Sequence, residues 1–162
     1  MSTLLLYLTV LLATLGSLLM AGVFFAFSTA VMPALGRLVP GAGMQAMQTL
    51  NAVILNPLFL ATFVGTALLA VAAAALAWIY GPREAGMLFA LGALLYGVGV
   101  LGVTAALNVP MNEALAKLGA DSAVGHDYWQ VYLRDWTFWN GVRTLAGLLA
   151  GASMMAGVIA SP

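Results

Sequence analysis

Four stretches of the chain, residues 4–32, 57–80, 86–107 and 137–160, are apolar on every face rather than along one stripe. Each reaches the ~20 residues a helix needs to cross a bilayer. A helix that is apolar all round has no face to offer water. The pattern predicts an all-α, integral membrane four-helix bundle, one domain built from two helical hairpins. The first stretch carries Ser28-Thr29-Ala30, small residues of the kind found at signal-peptide cleavage sites. It lacks a basic start and far exceeds the ~7–15 residues of a signal-peptide core, so it reads as a retained span.

Between the second and third spans lie about five residues, with Gly81 as a helix stop and Pro82 behind it. The other two connections are long, and with an even number of spans both emerge on one membrane face. Met44, Met47, Leu50 and Ile54 share a helical stripe, which predicts a short interfacial or re-entrant helix between the first two spans. Asn56-Pro57 reads as an N-cap followed by proline at the first helical position. In the connection between spans three and four, Asn108-Val-Pro110-Met-Asn112 is expected to end the third span and Asn112 to cap a short helix through Lys117. Tyr128 onward is expected to run as helix into the fourth span. Pro33-Ala-Leu-Gly-Arg-Leu38 parallels Pro110 followed by Ala114-Leu-Ala-Lys-Leu118, with Gln48 and Gln130, then Asn56 and Asn140, at matching places. Either the halves are a diverged parallel repeat, related by an axis along the membrane normal, or a low-complexity apolar chain resembles itself by chance.

Composition excludes a soluble globular domain: 64% of residues are hydrophobic and 6% charged, where a soluble domain is roughly a quarter charged. Zero net charge without a basic cluster argues against nucleic acid and leaves membrane lipid as the surrounding partner. The absence of cysteine removes disulfides, thiolate metal sites and cysteine nucleophiles. Arg37, Lys117, Arg134, Arg143, Glu113, Asp121, Asp127 and Asp135 lie on or beside the long-connection face, with His126, and leave Arg83 and Glu84 opposite. The excess of basic residues places the long-connection face in the cytoplasm.

On the helix from Tyr128, residues Trp129, Tyr132, Trp136, Asn140 and Arg143 follow spacings of three, four, four and three, and so share one face. Arg143 lies about 10 Å of helix beyond Trp136. Either it snorkels to the headgroups beside a belt of Trp129, Trp136 and Trp139, or it points inward and lines a wet cavity. Asn51, Asn56, Asn108 and Asn112 are either helix caps and turn formers or, with Gln48 and Asn140, a cluster that must bind one another, water or a ligand. His126-Asp127 is either a solvated pair or a general base oriented by a carboxylate. No metal site is expected. Haem would have only His126 or one of nine methionines as axial ligand. Gly147-Leu-Leu-Ala-Gly151 suits close packing inside the bundle or a homodimer.

Phe24-Phe-Ala-Phe-Ser28 with Val31-Met-Pro33-Ala-Leu35, then Ala46-Met-Gln48-Thr-Leu-Asn51 with Asn56-Pro57, then Asn108-Val-Pro110-Met-Asn112, then Trp136-Thr-Phe-Trp-Asn140-Gly-Val-Arg143-Thr144 resemble, in order, the bacterial branch of the anthrone-oxygenase-like family of four-span membrane proteins. The matching positions are Asn51, Asn56, Asn108, Pro110, Asn112, Trp136, Asn140 and Arg143. The resemblance implies a multi-pass protein of the bacterial inner membrane and, by way of a fungal branch associated with oxidation of anthrones to anthraquinones, an oxygenase acting on a lipophilic aromatic small molecule. An anthrone anion itself reduces dioxygen, so no cofactor is expected. In that chemistry Arg143, with Asn140 or Asn51, stabilises the enolate oxygen. Asp135 or the His126-Asp127 pair takes the proton, and a mouth lined by Phe24, Tyr132 and Trp136 holds the rings. Gln48, Asn56, Asn108, Asn112 and Trp129 complete the expected ligand-binding set. The competing expectation is a non-catalytic lipid-, quinone- or haem-binding module or an accessory membrane subunit.

Overall fold

The computed structural model describes residues 2–161. Four long helices, α1 (Thr3–Leu35), α3 (Pro57–Tyr80), α4 (Arg83–Ala116) and α5 (Ala123–Ile159), are each long and apolar enough to cross a membrane, and the shorter α2 (Pro40–Val53) joins the first two. The chain is an all-helical four-helix membrane bundle. α1 packs on α3 and α5, and α4 packs on α3 and α5, so the helices form a square in which α1 lies diagonal to α4. Leu4, Leu8, Leu15, Leu19, Leu68, Leu94 and Leu148 stay exposed on the outer faces. In water that perimeter would be untenable; in lipid it is the solvated surface.

Small residues bring the helices together. A Cβ on Gly99 of α4 would stand 2.5 Å from the Ala146 methyl on α5, and one on Gly147 would stand 3.1 Å from that of Ala21 on α1. α3 contributes a buried face of Ala70, Ala73, Ala74 and Ala77. The Gly147/Gly151 stripe, which also suited a homodimer, is filled by Ser17, Leu18 and Ala21 of the same chain, and a second copy would have to displace α1. Hydroxyls inside the spans bond carbonyls one turn back, as Thr9 to Leu5 at 2.7 Å and Thr14 to Val10 at 2.8 Å. Such polar groups need no water.

Helix ends follow local chemistry. The Asn56 side chain accepts from the Phe59 amide at 3.0 Å, with Pro57 in the first turn, and Ser122 caps α5 through the Gly125 amide at 3.0 Å. Pro110 does not end the third span. α4 runs through it to Ala116, and no separate short helix forms between α4 and α5. A proline inside a helix lacks its amide and crowds the carbonyl four residues back. Those carbonyls, on Thr29 for Pro33 and Ala106 for Pro110, fall in wide π-type turns at Phe27–Val31 and Thr104–Asn108. The wider turn gives the ring room. The halves also part at their matched asparagines: Asn56-Pro57 breaks the chain into α2 and α3, whereas α5, 37 residues long, runs unbroken through Asn140-Gly141.

Two apolar cores result. One fills the spans around Val10, Met20, Ala73, Phe89, Tyr96 and Met154. The other, around Met32, Met44, Met47, Leu115, Trp129 and Tyr132, packs α2 against the ends of α1, α4 and α5. The polar cluster sits between them.

Candidate functional site

The Trp129–Arg143 stripe of α5 faces inward along its whole length. Trp129, Tyr132, Trp136, Asn140 and Arg143 are all buried, so neither an aromatic belt nor a snorkelling arginine describes them. Phe138 takes the exposed position, with Trp139 half-buried beside it. Trp129, Tyr132 and Trp136 form a ladder with ring centroids 5.7 and 5.8 Å apart and planes within 19°.

Asparagines fix this ladder to the other helices. Asn112 Oδ1 accepts from the Tyr132 hydroxyl at 2.7 Å and the Trp136 indole at 2.8 Å. The Tyr132 hydroxyl also accepts from Asn51 at 3.3 Å. Asn108 donates to the Trp136 carbonyl at 3.2 Å, and Gln48 ties α2 to the Leu115 and Leu118 carbonyls. Asn108 and Asn112 therefore lie inside α4 and cap nothing. Asn56 is the true cap, exposed and not itself on the cavity lining.

One turn below Trp136, Asn140 donates to the Phe24 carbonyl and the Ser28 hydroxyl, both at 2.6 Å, and its Oδ1 accepts from Arg143 at 2.6 Å. A second guanidinium nitrogen reaches the Thr104 hydroxyl at 3.1 Å. The guanidinium carbon stands 4.4 Å from the Phe24 ring centre and 5.3 Å from that of Trp136. Arg143 is 6% exposed and its Nε has no partner. The ion pair found among the described residues, Arg134 with Asp135, is elsewhere and exposed. Arg143 is thus a buried cation pinned by neutral groups between two aromatic rings.

It forms part of the wall of a cavity of about 650 Å³, within the usual range for small-molecule sites. Phe24, Phe27, Phe59, Phe63 and Trp136 make its aromatic walls, and Phe59 stacks on Phe63 at 5.6 Å. Gln48, Asn51, Thr104, Asn112, Glu113, Asn140 and Arg143 are the polar groups on the lining. Trp129, Tyr132 and Asn108 stand behind the wall as supports.

The expected proton acceptors are not on this lining. Asp135 pairs with Arg134 at 2.6 Å on an outer face, and His126 is half-buried near the start of α5. The lining carboxylate is Glu113, which sequence reasoning passed over as one more charge of the connection. Thr104 and Phe63 were missed as well, since neither stands out until α3 and α4 are folded against α5. Haem finds no histidine, methionine or tyrosine on the cavity lining, and no group of metal-ligating side chains occurs among the described residues.

No curated protein and no solved structure matches the chain. A family model described as anthrone oxygenase matches residues 53–153, which take in α3, α4 and most of α5, including Thr104, Asn112, Glu113, Asn140 and Arg143. With well over half of its length matched, the chain belongs to the anthrone oxygenase family.

Proposed function

We propose that the protein is a cofactor-independent oxygenase of lipophilic aromatic ketones or phenols, seated in the bacterial inner membrane with the long-connection face in the cytoplasm. One observation carries the reading: a buried arginine without a counter-ion among the described residues, held by Asn140 and Thr104 at an aromatic-lined cavity. Such a site stabilises negative charge that appears only as the substrate is deprotonated. The family membership supports the same chemistry.

In this reading Arg143 holds the enolate oxygen and Asn140 positions Arg143. Glu113 replaces Asp135 and His126 as the base. It lies nine residues beyond Thr104 on α4, about 14 Å of rise. Helical side chains lean toward the N-terminus, which tilts Glu113 back over the ring slot. It takes a methylene proton and, being exposed, passes it to water. The carbanion transfers electrons to dioxygen, a bond forms between that carbon and oxygen, and the peroxide anion takes a proton back from water to become a hydroperoxide. Loss of water then leaves a second ketone, so that one anthrone and one dioxygen give one anthraquinone and one water.

The test is oxygen uptake by the purified, metal-analysed protein with anthrone, measured against autoxidation in protein-free micelles. Arg143→Gln should lose most of the enzymatic rate, and Glu113→Gln should lose rate while retaining binding. A wild-type rate no higher than autoxidation overturns the proposal and favours the non-catalytic binding module.

A further inference from the structure

The cavity wall is unevenly covered. Its residues from α1 and α5 are buried or half-buried, whereas Leu55 is 63%, Leu60 40% and Val109 38% exposed, with Ala105 exposed beside them. All four belong to the start of α3, the residue pair before it, or the wide-turn end of α4. The cavity is therefore open along the seam between these two helices. Leu60 lies one turn inside the start of α3, and Ala105 lies two residues before the end of the apolar part of α4 at Leu107, so this part of the seam borders the acyl chains. Glu113 and Ala116 carry it on toward water. The α1–α5 seam, by contrast, is closed at Gly147 and Gly151.

Arg143 waits on the covered side of this opening, with Nε unpartnered and no carboxylate paired to it among the described residues. Its hydrogen bonds and ring contacts are all to neutral groups, so the cost of withdrawing the guanidinium from water is offset while its charge stays unmatched. An occupant that brings one negative charge supplies that match and completes the guanidinium's donor set.

We propose that the cavity takes a lipophilic monoanion, an oxyanion on an apolar body, which arrives from the bilayer through the α3–α4 seam and seats its charged oxygen on Arg143. The inference rests on the cavity being the ligand site and adds the charge of the ligand and its route. A neutral molecule of the same shape, an anthrone before deprotonation included, binds more weakly through its apolar body and gains the full contact with Arg143 only once its oxygen carries the charge.

The probes are anthracene-9-carboxylate and the neutral anthracene-9-methanol, titrated into wild-type protein in lipid nanodiscs. Binding is read as anthracene emission sensitised by tryptophan, corrected for partitioning into empty discs. The carboxylate should bind at least about tenfold more tightly, and Arg143→Gln should abolish the preference. Discs made with lipids brominated on their acyl chains should quench the bound carboxylate. Equal wild-type affinity for the two probes overturns the charge selection without recourse to any variant. Undiminished carboxylate preference in Arg143→Gln overturns the assignment to that residue, and unquenched emission overturns the lipid-facing seam. If neither probe binds while the protein still consumes oxygen with anthrone, this inference alone fails; if both activities are absent, the oxygenase proposal fails with it.

Discussion

Replacing Arg143 with methionine removes a cation that is paired with no anion among the described residues, and the stability of the variant measures how that charge is tolerated. The guanidinium makes two hydrogen bonds, at 2.6 and 3.1 Å, and lies against two aromatic rings. Hydrogen bonds to charged groups contribute about 1.5–3 kcal/mol each and a desolvated cation–π contact about 2 kcal/mol. Against these gains stands the several kcal/mol, as an order of magnitude, of withdrawing an ion from water. The opposing terms nearly cancel, and methionine packs well between Phe24 and Trp136. Arg143→Met is expected to unfold within about 1 kcal/mol of wild type. Asn140→Leu is the opposite case. It strips the cation of its shortest hydrogen bond and α1 of two contacts, at the Phe24 carbonyl and the Ser28 hydroxyl. Its expected cost is roughly 3–5 kcal/mol, as for other buried charges left without partners. The double variant should be more stable than Asn140→Leu alone, with a coupling of about 1.5–3 kcal/mol. Equilibrium unfolding in mixed micelles, followed by tryptophan fluorescence, reads all four corners of the cycle. An Arg143→Met variant that loses as much as Asn140→Leu, with no rescue in the double variant, would falsify the account, because it would mean that Arg143 has a counter-charge in the folded protein.

Three other outcomes are expected. Asn112→Ala leaves the Tyr132 hydroxyl and the Trp136 indole short of an acceptor, costing about 1–3 kcal/mol per orphaned group, and tryptophan emission should shift as the ladder loosens; unchanged emission and stability would count against the network. Gly99→Ala forces a methyl to within 2.5 Å of the Ala146 methyl, an overpacking worth about 1–3 kcal/mol, and adding Ala146→Gly should restore thermal stability if these two residues set the α4–α5 distance. Because the chain has no cysteine of its own, Ser122→Cys and Glu84→Cys can be labelled from either side of spheroplast membranes; the first should react only from the cytoplasm and the second only from outside, and the reverse result would invert the orientation.

The spans, the α2 stripe, the Asn56 cap and the shared face from Trp129 to Arg143 were legible because each depends on spacing within one helix; that this face turns inward was not. Apolar runs betray a span, and a three–four rhythm betrays a shared face. What escaped the sequence depends on distance across the bundle. Thr104 is an ordinary intramembrane threonine until α4 sets its hydroxyl 3.1 Å from Arg143. Asn112 sits where a cap would sit, yet two ring donors on α5 claim its oxygen. Asp135 looked better placed than Glu113 because it adjoins Trp136 in sequence; on a helix, a residue next in sequence points about 100° away. His126 stands about one turn before Trp129, at the start of α5 and off the cavity lining. Pro110 suggested a helix end because the usual rule assumes regular turns on either side.

Those irregular turns also set rotational phase. A π-type turn absorbs about one residue more than an α-turn, so each one rotates everything downstream backwards by about one residue's share of the helical circle. α4 carries two such stretches, Gly97–Gly102 and Thr104–Asn108, directly ahead of Asn112 and Glu113. The azimuth of its polar end is thereby decoupled from that of its membrane-spanning half, whose packing is fixed by Gly92 and Gly99 against α5. Removing a single exposed residue such as Ala106 would let the wide turn close to an ordinary one with both halves still seated, whereas one added residue that the turn does not absorb would swing the polar end out of the cavity, a change of address made without altering any side chain of the site.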